Sequence, residues 1–221
     1  MIKTAKTYIK HILKLMMLKL YKTHKSFIYI KYLRKLYKIQ LDELQLTAIC
    51  ETLRKKQNSN FLVFGLGNDS VFWVASNQPG RTVFLEDDIE WYEKTVAFCP
   101  EIETYLVVYG TVRDQWQELI NNPAKLMLDL PLEIQYTKWD VILVDGPAGY
   151  YPLSPGRMKS IYMASQLATH GTHVFFHDCN REIEKKYAQK YLETKHLIEY
   201  IGHEDLAHYE KTAYNPESMD R

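Results

Sequence analysis

The chain has 221 residues, 46% of them hydrophobic, and a formal net charge of +1, which is enough for one domain with a complete core. Its three cysteines are scattered and form no Cys-x-x-Cys pair, which argues against a disulfide framework or a zinc knuckle. This cysteine usage is typical of a reducing compartment, so we expect a cytoplasmic protein, with peripheral membrane contact as an option.

The first 41 residues differ in charge from the rest of the chain. They contain eleven basic residues and no acidic one, whereas the remainder carries 17 basic and 27 acidic side chains. Apolar residues such as Tyr8, Ile12 and Leu15 recur among the lysines at helical spacing. We therefore predict a basic amphipathic helical arm over residues 1–41 and a separate main domain over residues 42–221.

This arm admits more than one role. A basic amphipathic helix can lie on an anionic membrane surface or on a partner, or it can pack on the domain with a solvated lysine face. Membrane contact through residues 1–38 and packing on the domain stay open as equal alternatives, and we consider nucleic acid an unlikely partner, because no base-reading motif accompanies the lysines. No apolar run approaches 18 residues and no cleavage site follows one, so neither a membrane-spanning segment nor a cleavable signal is expected.

After a helix predicted over Leu41–Lys56, the first strand leads into a glycine turn. Phe61–Phe64 is a continuous apolar run, typical of a strand buried on both faces, and Gly65-Leu66-Gly67 ends it. Asn68, Asp69 and Ser70 then supply helix N-cap residue types. A strand, a glycine turn and a helix N-terminus together bind nucleotide-like ligands in doubly wound proteins, although two glycines can also form a simple tight turn.

The second predicted strand, Arg81–Glu86, ends in three acidic residues about twenty positions after the glycines, where an acid can accept hydrogen bonds from both ribose hydroxyls. The pattern lacks a third glycine, so S-adenosylmethionine, which has no pyrophosphate, fits at least as well as NAD. Glu86 and Asp87 are thus candidate cofactor residues. Asp87 or Asp88 is also expected to cap a helix over Ile89–Phe98.

The remaining chain continues to alternate between strands and helices. The predicted elements are a strand Glu103–Tyr109, a helix Arg113–Ile120, an irregular segment 121–137, a strand Val141–Val144, a helix Gly156–Thr169, a strand Gly171–Phe176, a helix Glu182–Glu193 and two late strands, His196–Ile201 and Ala207–Lys211. This order predicts an α/β fold: a doubly wound, mostly parallel seven-stranded sheet with an antiparallel C-terminal hairpin and additional N-terminal helices.

Functional groups in such a sheet collect beyond the carboxyl ends of the strands. Asp145 follows the fourth strand, and His177 and Asp178 follow the fifth, so we expect them to face each other. They can hold a divalent ion that activates a hydroxyl, or Asp145 or His177 can act as a general base without a metal. Thr111, beyond the third strand, is a further cofactor candidate.

The segment from Gly146 to Arg157 contains three glycines and three prolines and is predicted to form a defined loop over this edge. Tyr150 can stack on a sugar ring, and Arg157 can bind a carboxylate with two hydrogen bonds. Arg181 is another candidate for substrate binding, although a solvated surface role is the commoner one for such a residue.

Five motifs together resemble the glucuronoxylan 4-O-methyltransferase family of plant cell-wall enzymes. They are Phe61–Ser70, Gly80–Asp87, Trp139–Pro147, Pro155–Met158 and His177-Asp178, and the resemblance runs from about Asn60 to Glu210. It implies a class I methyltransferase fold, S-adenosylmethionine as cofactor, the O4 hydroxyl of glucuronic acid as acceptor, and a divalent cation. It also implies that Gly65, Gly67 and Glu86 bind the cofactor, Asp145 and Asp178 carry the chemistry and Arg157 binds the uronate.

The chain departs from this family in several respects. Asn68 stands where the family usually has histidine, the region between Thr111 and Thr137 is shorter, and the lysine-rich arm replaces a transmembrane anchor and stem. We therefore expect a soluble microbial relative.

The predicted function is S-adenosylmethionine-dependent O-methylation of a sugar hydroxyl in a glycan or glycoconjugate, best the O4 of glucuronic acid. The candidate residues are Gly65, Gly67, Asn68, Asp69, Ser70, Glu86, Asp87, Thr111 and Asp145 for the cofactor, Asp145, His177 and Asp178 for catalysis and a metal, and Tyr150, Arg157 and Arg181 for the substrate. The alternatives are a metal-dependent O-methyltransferase of a small diol or phenol, and a non-catalytic polysaccharide-biosynthesis scaffold with the same fold.

Overall fold

The structure is a computed structural model that describes residues 16–21, 27–203 and 205–212. The first part of the predicted arm, with Tyr8, Ile12 and Leu15, lies outside these ranges, as do residues 213–221 of the predicted main domain. Among the described residues, no helix combines the length and the hydrophobicity that crossing a bilayer requires.

Seven strands form one sheet in the order β3-β2-β1-β4-β5-β7-β6. The strands are β1 (Asn60–Phe64), β2 (Arg81–Glu86), β3 (Glu103–Leu106), β4 (Val141–Val144), β5 (His173–His177), β6 (Leu197–Ile201) and β7 (Leu206–Glu210). The first five pair in parallel, and β7 pairs antiparallel with both β5 and β6. This arrangement confirms the predicted seven-stranded sheet with its C-terminal hairpin.

Helices cover both faces of the sheet. They are α1 (Phe27–Tyr37), α2 (Glu43–Lys56), α3 (Ser70–Asn77), α4 (Ile89–Phe98), α5 (Trp116–Leu119), α6 (Leu132–Tyr136), α7 (Met158–Leu167) and α8 (Glu182–Tyr191), with short 3-10 turns at Arg113–Gln115, Pro123–Leu126 and Thr194–His196. Residues 16–21 are also helical. At the start of α2, Asp42 accepts a hydrogen bond from the Gln45 backbone at 2.9 Å, which caps the helix.

The apolar strand runs supply two separate cores because successive side chains point to opposite faces. In β1, Leu62 and Phe64 pack with α7 and α8 on one face, whereas Phe61 and Val63 pack with α1, α2 and α3 on the other. Each buried side chain of this size contributes about 1.5–3 kcal/mol. A sheet buried on both faces exposes its carboxyl edge, where a ligand can reach it.

The described part of the arm packs on the domain. Leu18, Tyr21, Ile30, Leu33 and Tyr37 are all buried within the core cluster that covers one face of the sheet. Their spacing in α1 places Ile30, Leu33 and Tyr37 on one side of the helix. The opposite side of α1 faces outward.

Several element boundaries differ from the prediction; β5, for example, spans His173–His177 rather than Gly171–Phe176. The edge strand β3 ends at Leu106 rather than Tyr109, because Val107 makes the last bond to β2, at 2.8 Å from its N to the carbonyl oxygen of Glu86. The helix predicted from Arg113 is instead a 3-10 turn followed by the four-residue α5. Helix α7 starts only at Met158, because Gly156 has a φ of +71°, which lies outside the right-handed helical region.

Candidate active site

The register of the parallel strands brings the candidate site residues together at one edge of the sheet. Phe64 of β1 is level with Leu85 of β2 and Val144 of β4, and Val144 is level with Phe176 of β5. The next residue of each strand segment, namely Gly65, Glu86, Asp145 and His177, therefore emerges at the same edge of the sheet. Because β4 and β5 are parallel and in register, Asp145 and His177 project to the same side.

Two glycines allow the backbones after β1 and β4 to touch. A Cβ atom on Gly146 would lie 2.8 Å from the Cα of Gly65, and one on Gly65, whose φ is +109°, would lie 3.1 Å from the N of Gly146. A side chain at either position would push the two turns apart. The close contact keeps the glycine turn beside Asp145 and leaves backbone exposed to a ligand.

A cavity of about 620 Å³ opens at this edge. It is bordered by the predicted residues Gly65, Gly67, Asn68, Asp69, Glu86, Asp87, Asp145 and Tyr150. Among the residues that the structure describes, five carboxylates, including that of Asp88, border it against one cationic side chain, that of Lys38. The cavity is therefore electronegative and has a volume typical of a small-molecule site.

Glu86 organises the entrance to this cavity. Its Oε2 accepts a hydrogen bond from the Leu66 N at 2.6 Å, and its Oε1 accepts from the N atoms of Asp87 and Asp88 at 3.0 and 2.8 Å. Burial raises the pKa of Glu86, and these backbone donors oppose that effect. A carboxylate has about four acceptor positions, and three are used by these backbone donors, so Glu86 retains one for a ligand hydroxyl.

Two further carboxyl groups have raised pKa values. Burial and the nearby charge of Asp145 raise the pKa of Asp69 to about 7. Asp69 Oδ2 accepts a hydrogen bond from Trp73 Nε1 at 2.8 Å. Burial and the charge of Glu86 raise the pKa of Asp87 to about 6. These shifts are the expected effect of several acids sharing one partly enclosed cavity.

Asp145 and His177 form a hydrogen-bonded pair, with 2.8 Å between Asp145 Oδ1 and His177 Nδ1. Burial favours the neutral form of Asp145, but the hydrogen bond from His177 and the charge of Arg157 hold its pKa below the ordinary value. Burial also opposes protonation of His177, but the hydrogen bond and charge of Asp145 raise its pKa. The pair can thus take up and release one proton.

Arg157 is buried behind this pair and binds four protein groups. Its Nε donates to the Pro147 carbonyl at 3.3 Å and its Nη1 to the His177 carbonyl at 2.6 Å. Its Nη2 lies 3.3 Å from Asp145 Oδ1 and 2.7 Å from Asp178 Oδ2. These contacts use four of the five guanidinium N–H groups, so Arg157 joins the ends of β4 and β5. The prediction that Arg157 binds a substrate carboxylate remains untested, with one donor left for it.

The proposed metal ligands lie close together, but an arginine already occupies the space between them. Oxygen and nitrogen atoms of Asp145, His177 and Asp178 lie within 4.8 Å of one another, and they are suitable donor types for a divalent ion. Arg157 Nη2 bonds both carboxylates, however, and His177 is hydrogen-bonded to Asp145. As arranged, these residues do not fit a metal ion, and we derive no step through one.

Several predicted residues lie away from the cavity. Ser70 accepts a hydrogen bond from the Gly67 N at 2.9 Å and so stabilises the glycine turn from behind. Thr111 donates to the Pro155 carbonyl at 3.0 Å and borders a different cleft. Asp178, with a φ of +61°, binds Arg181 at 2.9 Å between Oδ1 and Nη2. Arg181 therefore reaches the site through Asp178.

Sequence reasoning missed other residues that border the cavity. Gly146 was signalled only by its position directly after Asp145. Trp91 borders the cavity as well, and its first-turn position in α4 carried no functional pattern. Residues 38–40 of the arm also line it. Nothing in the sequence connected them with the glycine turn.

Strand order, glycine turn and acid-terminated β2 define a class I methyltransferase fold. The crystal structure of a TehB-like S-adenosylmethionine-dependent methyltransferase from Corynebacterium glutamicum shares this fold, with a TM-score of 0.50 and 12% identity over 83% of this chain and 96% of that chain.

The chain belongs to the IRX15/IRX15L/GXM family, whose model matches residues 44–128 and 121–209. Arabinogalactan O-methyltransferase 1 of Arabidopsis thaliana is 37% identical over 174 residues, or 68% of this chain and 60% of that protein. Glucuronoxylan 4-O-methyltransferase 1 of the same plant is 40% identical over 169 residues, or 67% and 60%. The matches thus span 60% of the length of these two relatives. Both are plant proteins, so the expected microbial origin gains no support.

Proposed function

We propose that this protein is an S-adenosylmethionine-dependent O-methyltransferase of a sugar hydroxyl, with the O4 of a glucuronic acid unit in a glycan as the preferred acceptor. The observation that carries the proposal is the electronegative cavity that joins the glycine turn and Glu86 to the Asp145–His177 pair. The names of two relatives, which describe O-methylation of arabinogalactan and of glucuronoxylan, support the acceptor class.

The cavity suits the cofactor in size and charge. The close approach of Gly65 and Gly146 leaves backbone accessible, and Glu86 retains one acceptor position for a ribose hydroxyl. Trp91 borders the cavity, and among the described residues its buried Nε1 has no hydrogen-bond partner, so it can donate to a ligand. The acidic lining favours a ligand that carries positive charge.

The Asp145–His177 pair is the proposed proton acceptor. When bound, S-adenosylmethionine supplies a methyl group on a positively charged sulphur, which is transferred to an acceptor oxygen and leaves a neutral thioether. Asp145 borders the cavity and can accept a hydrogen bond from the acceptor hydroxyl. The proton released as the new C–O bond forms is taken up by the pair, and Arg157 holds the Asp145 carboxylate in place throughout.

Arg181 is a better candidate than Arg157 for the uronate carboxylate. The Arg181 side chain is 32% exposed against 7% for Arg157. Among the described residues, its Nη1 is a buried donor without a hydrogen-bond partner. It lies beside Gly149, in the same loop as Tyr150, whose ring is 60% exposed. We propose that this loop holds the acceptor sugar between Tyr150 and Arg181.

Calorimetric titration with S-adenosylhomocysteine tests the cofactor assignment. Glu86→Gln is expected to weaken binding by roughly 10- to 100-fold, because a hydrogen bond from a ribose hydroxyl to a charged acceptor contributes about 1.5–3 kcal/mol. Asp88→Asn is the matched control, since it removes the same charge from the cavity edge but preserves the cap on α4. If a folded Glu86→Gln variant binds S-adenosylhomocysteine as tightly as the parent, Glu86 does not bind the cofactor. If the parent itself does not bind S-adenosylhomocysteine, the alternative of a non-catalytic scaffold would be favoured.

Steady-state kinetics on two acceptors test the uronate assignment. Arg181→Gln is expected to raise KM roughly 10- to 100-fold for a glucuronate-bearing oligosaccharide, since it removes a charged hydrogen bond. The KM for the same oligosaccharide with its carboxyl reduced to an alcohol is expected to stay unchanged. Lys185→Gln, an exposed residue of the same helix, is the control. An equal rise of KM for both acceptors would mean that Arg181 acts by positioning Asp178. If the protein methylates only small diols or phenols, the alternative of a small-molecule O-methyltransferase would be favoured.

A further inference from the structure

We propose that the outward side of the arm is a docking surface for the anionic headgroups of a lipid membrane. In α1, Ile30, Leu33 and Tyr37 are buried against the domain. The exposed residues Ile28, Lys31, Tyr32 and Lys35 recur at intervals of three and four and so form the opposite side of the helix. This side combines apolar and cationic residues in alternation.

Its apolar residues distinguish this surface from an ordinary solvated lysine face. Ile28 is 70% exposed and Tyr32 is 58% exposed. Residues 16–21 repeat the pattern, because Leu18 and Tyr21 are buried whereas Met16 and Leu20 are 56% and 40% exposed. Exposed aliphatic side chains interleaved with lysines are the composition of helices that lie in a membrane interface.

The positive charge of the arm favours an anionic membrane over a neutral one. The chain has no acidic residue before Asp42, whereas the rest of the sequence carries an excess of acidic over basic side chains. An anionic bilayer would therefore attract the arm and repel most of the remaining protein, which orients the molecule with the arm toward the lipid.

A lipid surface fits these residues better than a polyanionic chain. An acidic glycan or a nucleic acid would pair with Lys31 and Lys35 but offers no apolar layer for Met16, Leu20 or Ile28. A bilayer accepts both kinds of side chain at once, the lysines at the headgroups and the aliphatic groups at the acyl boundary. The arm continues into residues 38–40, which line the proposed cofactor cavity, so the docked arm would lie next to that cavity.

Vesicle co-sedimentation of the full chain tests the proposal. We expect binding to phosphatidylcholine vesicles that contain about one third phosphatidylserine, and little binding to pure phosphatidylcholine. Lys31→Gln/Lys35→Gln is expected to lower the partition coefficient roughly 30-fold, the change that corresponds to about 1 kcal/mol per lysine. Ile28→Ser/Tyr32→Ser is expected to lower it as well, and to do so also at high salt, where the charge contribution is screened.

The controls alter equally exposed residues of the main domain. Lys138→Gln/Lys185→Gln matches the charge change, and Leu132→Ser/Tyr136→Ser, at residues 67% and 82% exposed, matches the loss of apolar surface. Thermal unfolding and S-adenosylhomocysteine titration, both measured without vesicles, show whether each variant is folded. The proposal is overturned if the parent does not bind anionic vesicles or if the controls lose as much binding as the arm variants. It is also overturned if Ile28→Ser/Tyr32→Ser disrupts a dimer instead, or if the lysines are needed only for an acidic polysaccharide.

Discussion

Asp145→Asn is expected to lower kcat for methyl transfer by roughly 1,000-fold, within the range contributed by a positioned general base. The substitution preserves the shape of the side chain, but an amide cannot take up the proton of the acceptor hydroxyl. Asp140→Asn is a suitable control, because Asp140 lies at the other end of the same strand segment, where its Oδ2 accepts a hydrogen bond from the Asn60 N at 2.9 Å. Activity is measured with S-adenosylmethionine and a glucuronate-bearing oligosaccharide. A variant that retains more than about a tenth of kcat would remove Asp145 from the chemistry.

The same variant changes the expected pH dependence. In the parent, kcat should rise with pH as the Asp145–His177 pair loses its proton, because only the deprotonated pair can accept another. The carboxylate of Asp145 raises the pKa of His177, so this rise lies above the ordinary histidine range. In Asp145→Asn the raised pKa is lost, and the residual activity should rise at lower pH. A profile that is identical in parent and variant would contradict the assignment of the pair.

Arg157→Gln is expected to destabilise the protein by about 3–5 kcal/mol, because removing one partner of a buried ion pair leaves the other charge uncompensated. Two carboxylates, those of Asp145 and Asp178, lose their common partner, and both side chains are at most 20% exposed. Urea denaturation at neutral pH measures the loss. Arg157→Lys, which keeps the charge but not the planar fork, is expected to be intermediate. Arg54→Gln, at a residue whose side chain is 52% exposed, provides a surface control.

The destabilisation should depend on pH in a defined direction. The pKa of Asp145 is held below its ordinary value in the folded protein, so its stabilising contribution is present above the ordinary aspartate pKa and is lost as the pH falls through the folded value. The difference in the free energy of unfolding between the parent and Arg157→Gln should therefore become smaller at acidic pH. A difference that stays constant would mean that Arg157 stabilises through packing alone.

The position of Arg157 also leads to a prediction about whether activity requires a divalent metal ion. While the guanidinium bonds both carboxylates, chelation with EDTA is expected to leave the activity of the parent within about twofold, since no ligand position is open between them. If EDTA abolished activity and a divalent ion restored it, the Arg157 guanidinium would have to move out of the space between the two carboxylates. The prediction that Asp145, His177 and Asp178 bind a metal ion would then be supported. Calorimetry of Arg157→Gln with Mg²⁺ would then show whether the freed carboxylates bind the ion.

The strands and the residues at their carboxyl ends could be predicted from the sequence. Continuous apolar runs such as Phe61–Phe64 and Val141–Val144 identify strands buried on both faces, and alternation with helices makes those strands parallel. Parallel strands carry their next residues to one edge. Gly65, Glu86 and Asp145 could therefore be placed together without coordinates, because the information is local to each strand and the edge is common to all.

Contacts between distant segments were decided by the tertiary structure alone. Arg157 was predicted from the sequence to bind a substrate carboxylate, and only the packing of α7 against the ends of β4 and β5 buries it among four acceptors of the protein itself. The contact of Gly146 with Gly65 requires the register of two strands 80 residues apart, and residues 38–40 reach the cavity only because α1 packs on the sheet. Hydrophobic periodicity specifies which face of an element is buried. It carries no information about which distant backbone that face meets, and the hydrogen-bond partners of a side chain follow from that choice.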